Sequence, residues 1–148
     1  MKFETPIGPA WAAIDETGAL TAFGFGSNAE EAGYSEEVDR QVREYFDGTR
    51  TTFDLRLNPR GTAFQHQVWA ELCRIPHGET ISYVELARRV GNPNASRAVG
   101  RANATNPIAL VVPCHRVVGA DGTLTGYAGG IEIKRWLLDF ERGTSLFR

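Results

Sequence analysis

The sequence predicts an α/β chain in two parts. Residues 1–60 form a small mixed α/β N-terminal domain with a β-sheet, and residues 61–148 form a mainly helical C-terminal domain containing a helix-turn-helix. Three observations predict this. Short β-type runs broken by turn signals fill the first 26 residues, helical periodicity dominates after "NPRG" at 58–61, and the balance of charge reverses across that boundary. Residues 1–60 carry 6 basic and 11 acidic side chains, and residues 61–148 carry 10 and 7.

In the first part, "WAAID" and "ALTAFGF" flank "ETG", a turn between two strands. "EEVDRQVREYFDG" is helical, with Val38, Val42 and Tyr45 or Phe46 on one face and Gly48 near its stop. "TTFDLRLNP" alternates Phe53, Leu55 and Leu57, the pattern of a further strand. Nothing in this part suggests chemistry, and it reads as a support domain.

In the second part, "TAFQHQVWAELCRI" lines up Phe64, Val68 and Leu72, with Trp69 beside them. Cys73 adjoins that stripe and reads as a buried small hydrophobe. "PHGE" turns the chain, and "SYVELARRVG" opens with the capping pattern Ser82 to Glu85 and stops near Gly91. "NPNASRAVGRANA" starts a second short helix, capped near Asn94 or Ser96. Two short helices across a Gly-Asn-Pro turn have the form of a helix-turn-helix. "PIALVVPCHRVV" is a buried or extended apolar segment, and "GADGTLTGYAGG" is a loop. "IEIKRWLLDFERG" is a closing amphipathic helix with Ile133, Leu137 and Phe140 on one side and Gly143 as its stop.

A net charge of −2 does not favour nucleic acid, but its distribution does. No acid lies between Glu85 and Asp121, while Arg88, Arg89, Arg97, Arg101 and Arg116 do. Of the 16 basic residues, 14 are arginines, whose forked donors suit phosphate. No signal segment or run of about 18 apolar residues is visible, so the chain reads as soluble and intracellular.

The two cysteines, Cys73 and Cys114, do not suggest a disulfide scaffold. With His66, His77 and His115 they lack the close spacing of a zinc site, so no metal is expected. Aliphatic flanks favour a structural Cys114. Pro113 before it, His115 beside it and the glycine-rich loop after it favour a nucleophile, since a thiol needs a base or a positive field to ionise. Asn106 or a late carboxylate such as Glu141 could orient His115, although the helix pattern alone leaves Glu141 facing solvent, and these residues leave hydrolysis and alkyl transfer both open.

At this point the chain resembles the DNA alkyltransferases that repair O6-alkylguanine. "PCHRVV" (113–118) is similar to that family's active-site motif. "FQHQVW" (64–69), "IPHGETISY" (75–83), "RAVGRANATNP" (97–107) and "GYAGG" (126–130) follow the family's order and spacing. The likeness spans about residues 62–142, with the first 60 matching only loosely. It implies a flipped nucleotide attacked by Cys114, with His115 taking the thiol proton through a water and Glu141 supporting His115. It also implies that Asn106 braces the adjacent turn.

Arg97 matches an arginine finger that fills the vacated stack, and Tyr83 matches a tyrosine that presses on the phosphate and donates toward the base edge. Ala98, Gly100, Ala102 and Arg101 suit a helix lying in the minor groove. Val117 and the main chain of 124–129, Gly129 included, would read the guanine edge. Tyr127 would wall the alkyl pocket and Lys134 would hold it. Ala128 stands where some relatives have serine, which changes the pocket's polarity.

Some relatives carry tryptophan in place of the reactive cysteine and only bind lesions, whereas Cys114 is present here. The resemblance implies one alkyl group taken per chain, no cofactor, duplex DNA as partner, no membrane, a monomer and a cytoplasmic location. Rival readings are a lesion-sensing module, a Cys-His hydrolase and a sequence-reading regulator.

Overall fold

The computed structural model describes residues 1–143, so the last five residues of the predicted C-terminal domain lie outside the described residues. The chain divides into two compact units, Met1–Arg60 with Pro107–Val111, and Gly61–Asn106 with Val112 onward. The fold class is the expected one: a small antiparallel sheet with one helix, then a mainly helical part with a helix-turn-helix.

In the first unit, β1 (Lys2–Thr5), β2 (Gly8–Ile14) and β3 (Leu20–Phe25) form an antiparallel meander in that order. Asp15 sets the β2–β3 turn by accepting from the N–H groups of Thr17 and Ala19 at 2.9 and 3.0 Å. Helix α1 (Glu36–Asp47) starts at Ser35, whose hydroxyl accepts from Val38 N–H, and ends at Gly48 in the left-handed region. It buries Val38, Val42 and Tyr45, as its periodicity predicts.

Residues 51–59 do not form the expected strand. Phe53, Leu55 and Leu57 alternate as predicted and are half-buried, but only Leu57 pairs, in a single bridge with Leu20. A side chain takes the place of the rest of the ladder. Gln41, 1% exposed, donates to Asp54 O at 3.1 Å and accepts from Asp54 N–H at 2.9 Å.

Pro107–Val111 lies past the predicted boundary yet belongs to the first unit, because its backbone pairs with β3. Phe23 N–H donates to Pro107 O at 2.9 Å and Ala109 N–H to Phe23 O at 3.0 Å. Leu110 turns this excursion at φ 71°, alone among non-glycine residues described in having a positive φ. Such a conformation costs about 1–3 kcal/mol and is held only where packing over-determines it.

In the second unit, α2 (Ala63–Leu72) begins with a full capping box between Thr62 and Gln65. It buries Val68, Trp69 and Leu72, and Trp69 Nε1 donates to Ala102 O at 2.8 Å. Cys73 caps α2 and is exposed, not buried, because the helix ends there and the side chain falls outside its apolar stripe. The strand pair β4 (Ile81–Ser82) and β5 (Val117–Val118) is parallel and short.

Helix α3 (Tyr83–Arg89) follows β4 directly, with Ser82 Oγ accepting from Glu85 N–H, and α4 (Ser96–Ala104) completes the helix-turn-helix. The cap of α4 is Ala95, without a side-chain bond, in place of Asn94 or Ser96. Helix α5 (Ile131–Arg142) ends at Gly143, as expected, but rotated from prediction. Its buried residues are Lys134, Leu137, Leu138 and Glu141, while Ile133 and Phe140 are half-buried. Among the described residues, no helix is long and apolar enough to cross a membrane.

Candidate active site

Pro113, at φ −81° and ψ 65°, turns the chain into one 3-10 turn, Cys114–Arg116, which runs straight into β5. Cys114 N–H donates to Val112 O at 2.7 Å and Arg116 N–H to Pro113 O at 3.0 Å. This tight turn is buried, with Cys114, His115 and Arg116 at 7%, 0% and 6% exposure. It sends His115 and Arg116 to one carboxylate and leaves the thiol among other groups.

That carboxylate is Glu141. His115 Nε2 stands 2.8 Å from Glu141 Oε2. Arg116 grips the same carboxylate with a fork, Nε to Oε1 at 2.8 Å and Nη2 to Oε2 at 2.9 Å. Its remaining arm, Nη1, donates to Ile75 O at 2.7 Å. Burial alone would push the Glu141 pKa up, but the bonds from His115 and Arg116 outweigh it and hold the carboxyl well below its usual range. Gly78 lies against the backbone of Glu141. It has φ +86°, and a Cβ there would sit 3.2 Å from Glu141 O.

Burial lowers the His115 pKa, against the opposing pull of Glu141, so the imidazole rests neutral. Glu141 is ionised and only accepts, so His115 carries its proton on Nε2. Nδ1 is then the basic nitrogen, buried and without a hydrogen-bond partner among the described residues.

Burial pushes the Cys114 thiol up as well, with a hydrogen bond from Asn106 and the ammonium of Lys134 acting against it. Asn106 Nδ2 also donates to Val112 O at 2.8 Å, closing the neck of the 107–111 excursion next to the thiol. Lys134, fully buried, donates to Val117 O at 2.8 Å and more distantly to Thr125 O at 3.4 Å. Burial lowers its pKa, while Cys114 favours its charge. Burial, with Cys114 and Glu141, raises the Tyr127 phenol well above its ordinary value. Its hydroxyl is buried without a partner among the described residues.

The structure therefore brings Cys114, His115, Glu141, Asn106, Lys134, Val117 and Tyr127 into one cluster. Tyr83 joins it through the loop, its hydroxyl 2.6 Å from Thr125 Oγ1. Ala128 is exposed and Gly129 half-exposed in the same loop. Arg97 and Arg101 are exposed on α4 and Ala98 is half-buried there, without bonds to the thiol cluster. Within the described residues Arg97 and Arg101 make no ion pair, whereas Arg88 and Arg89 are both bound to Glu85. These two bonds hold the Glu85 carboxyl down to about 2.

The side-chain roles of three site residues escape the sequence reading. The sequence sets Arg116 in the basic stretch, but it is buried and committed to Glu141. The available signal was a charge set between aliphatic pairs, which a buried site tolerates only with a partner. Asn103 reaches Cys114 O through a long bond of 3.4 Å, and Thr125 meets Tyr83, and no sequence pattern marks either. Among the described residues, no three His, Cys, Asp or Glu side chains gather as metal ligands would.

Residues 63–143 match the family model described as 6-O-methylguanine DNA methyltransferase, DNA binding domain. A methylated-DNA--protein-cysteine methyltransferase of Methanosarcina acetivorans is 50% identical over 149 residues, covering 94% of this chain and 95% of its own. The crystal structure of Mycobacterium tuberculosis OGT in complex with DNA superposes with a TM-score of 0.89 at 44% identity, covering 97% of this chain and 92% of that one. S. pombe Atl1, solved in complex with damaged DNA containing O6-carboxymethylguanine, matches 55% of this chain and 78% of its own, at 33% identity and a TM-score of 0.50.

Proposed function

The chain belongs to the 6-O-methylguanine DNA methyltransferase family, and on that premise we propose that Cys114 is the residue that accepts the alkyl group. The protein is a DNA-repair alkyltransferase that moves the alkyl group from O6-alkylguanine in DNA to its own cysteine after flipping the nucleotide out of the stack. The observation that carries the assignment of residues is the His115–Glu141 bond beside Cys114. It uses up Nε2 and leaves Nδ1 as the base for the thiol proton.

In the reaction Cys114 Sγ attacks the alkyl carbon in line. The C–S bond forms as the C–O6 bond breaks, and the bonding pair leaves with guanine. The thiol proton passes to His115, through a water in the family's manner, and from there to the departing base. Glu141 steadies the transient imidazolium, and Arg116 keeps Glu141 ionised. Asn106 braces the turn, Tyr83 donates to the base edge, and Tyr127 and Lys134 shape the pocket with Val117, Ala128 and Gly129.

The product is a thioether and guanine, and nothing in the site is arranged to cleave a thioether. Each chain therefore reacts once. Residues 61–148 carry DNA binding and transfer, with residues 1–60 as support. Helix α4 enters the minor groove, Arg97 fills the vacated stack, and Ala98 and Arg101 lie along the groove. The protein works as a monomer, in the cytoplasm.

Intact-protein mass spectrometry after mixing with excess duplex bearing one O6-methylguanine tests the assignment. The expected result is a single added methyl group per chain, mapped to Cys114 and absent from Cys114→Ala, which still binds the duplex. Methyl transfer by Cys114→Ala would refute Cys114 as the acceptor. An unmodified wild type that binds the lesion tightly would make the protein a sensor.

A further inference from the structure

Tyr83 is placed by two constraints. It follows β4 directly, and β4 pairs in register with β5, Ile81 against Val117 and Ser82 against Val118. Its ring also lies beside α4, where a Cβ at Gly100 would meet it at 3.7 Å. Its hydroxyl stands 2.6 Å from Thr125 Oγ1, a hydrogen bond in which either oxygen can donate.

Thr125 is held from its other side too, since Lys134 Nζ bonds both Thr125 O and Val117 O. The polar chain Tyr83–Thr125–Lys134–Val117 thus joins α3, the 119–130 loop, α5 and β5. The β4–β5 pair closes it into a ring, and β5 is the direct continuation of the turn that carries Cys114.

We propose that Thr125 is a positioning residue that fixes the direction of the Tyr83 hydroxyl proton. This rests on the transferase reading above. A tyrosine hydroxyl has one proton and accepts as well, and a threonine hydroxyl is the same. When Thr125 donates into the Tyr83 oxygen, the Tyr83 proton is directed away from the loop and toward a base in the pocket. Valine has threonine's shape without the hydroxyl, and it leaves that proton without a set direction. Serine keeps the hydroxyl.

The test measures methyl transfer from an O6-methylguanine duplex in a single turnover, as a function of duplex concentration. Thr125→Val is expected to slow the first-order transfer step about ten-fold, the worth of one well-placed hydrogen bond, with the half-saturating duplex concentration unchanged. Thr125→Ser is expected to stay within about two-fold of wild type, because it retains the same donor. In a Tyr83→Phe background, Thr125→Val should cause no further loss. Thr125→Ala replaces valine in the same comparison if valine lowers the urea midpoint.

Losses that multiply in the double variant would overturn the proposal. So would a serine variant as slow as valine, or an effect confined to half-saturation. A wild-type protein left unmodified by the duplex would instead refute the transferase reading, and this proposal with it.

Discussion

Glu141→Gln removes one charge from the buried cluster and almost no volume. In the native site both carboxylate oxygens are engaged, Oε1 by Arg116 Nε at 2.8 Å, and Oε2 by Arg116 Nη2 at 2.9 Å and His115 Nε2 at 2.8 Å. An amide offers one oxygen and one NH2 group, so at least one donor of Arg116 or His115 meets another donor. Arg116 keeps its charge with a side chain only 7% exposed. An unpaired buried charge of this kind costs about 3–5 kcal/mol, a large share of the roughly 5–15 kcal/mol that holds an ordinary domain together.

Urea denaturation followed by circular dichroism reads this directly. At the usual slope of about 1–3 kcal/mol per molar, the midpoint should fall by at least ~1 M with the slope unchanged. The double variant Arg116→Met/Glu141→Leu removes both charges and should unfold at higher urea than either single change. Under conditions where Glu141→Gln is folded, its transfer step should be slower by about a hundred-fold or more, because His115 loses the group that orients it. A wild-type midpoint would refute the idea that Arg116 depends on Glu141. An unchanged transfer rate would refute Glu141 as the support of His115.

Two further outcomes follow from the same geometry. Arg97, exposed and without an ion pair among the described residues, should when changed to alanine slow repair of the duplex more than attack on free O6-methylguanine base, and equal losses would count against its place in the emptied stack. Burial lowers the His115 pKa, and its bonds to His115 and Arg116 hold that of Glu141 down against burial, so on acidification the unfolded chain takes up protons before the folded one. Stability should therefore decline as pH falls below about 6.5 and decline further as free carboxyls titrate near 4.3, while the transfer rate stays level through 6.5, and a rate midpoint at or above that value would refute the neutral resting histidine.

Much of the fold was legible because local rules and tertiary packing agree. Ser82 caps α3, and Gly48 and Gly143 end α1 and α5, where the sequence sets them, while the caps at Ser35 and Thr62 emerge only in the structure. The nucleophile candidate was legible from Pro113, His115 and the loop that follows, and the family from its ordered blocks. What the residue patterns missed, and only the resemblance supplied for Lys134 and Glu141, was long-range and polar. Periodicity treats charge as solvent-facing, so it turned α5 toward Ile133 and Phe140 and away from Lys134 and Glu141, whose partners lie 17, 25 and 26 residues back in the chain. The 51–59 segment has the alternation of a strand, but Gln41 supplies from a helix the contacts a neighbouring strand would have made.

His115 has no surface open to water, and its partner Glu141 is nearly as enclosed. On the proposed mechanism the thiol proton is therefore lifted into an enclosed pair and not handed straight to bulk solvent. The leaving base becomes neutral guanine only by receiving a proton. Thiol and alkylated base enter neutral, and thioether and guanine leave neutral. Summed over the single event, the proposed transfer takes up no hydrogen ion and releases none.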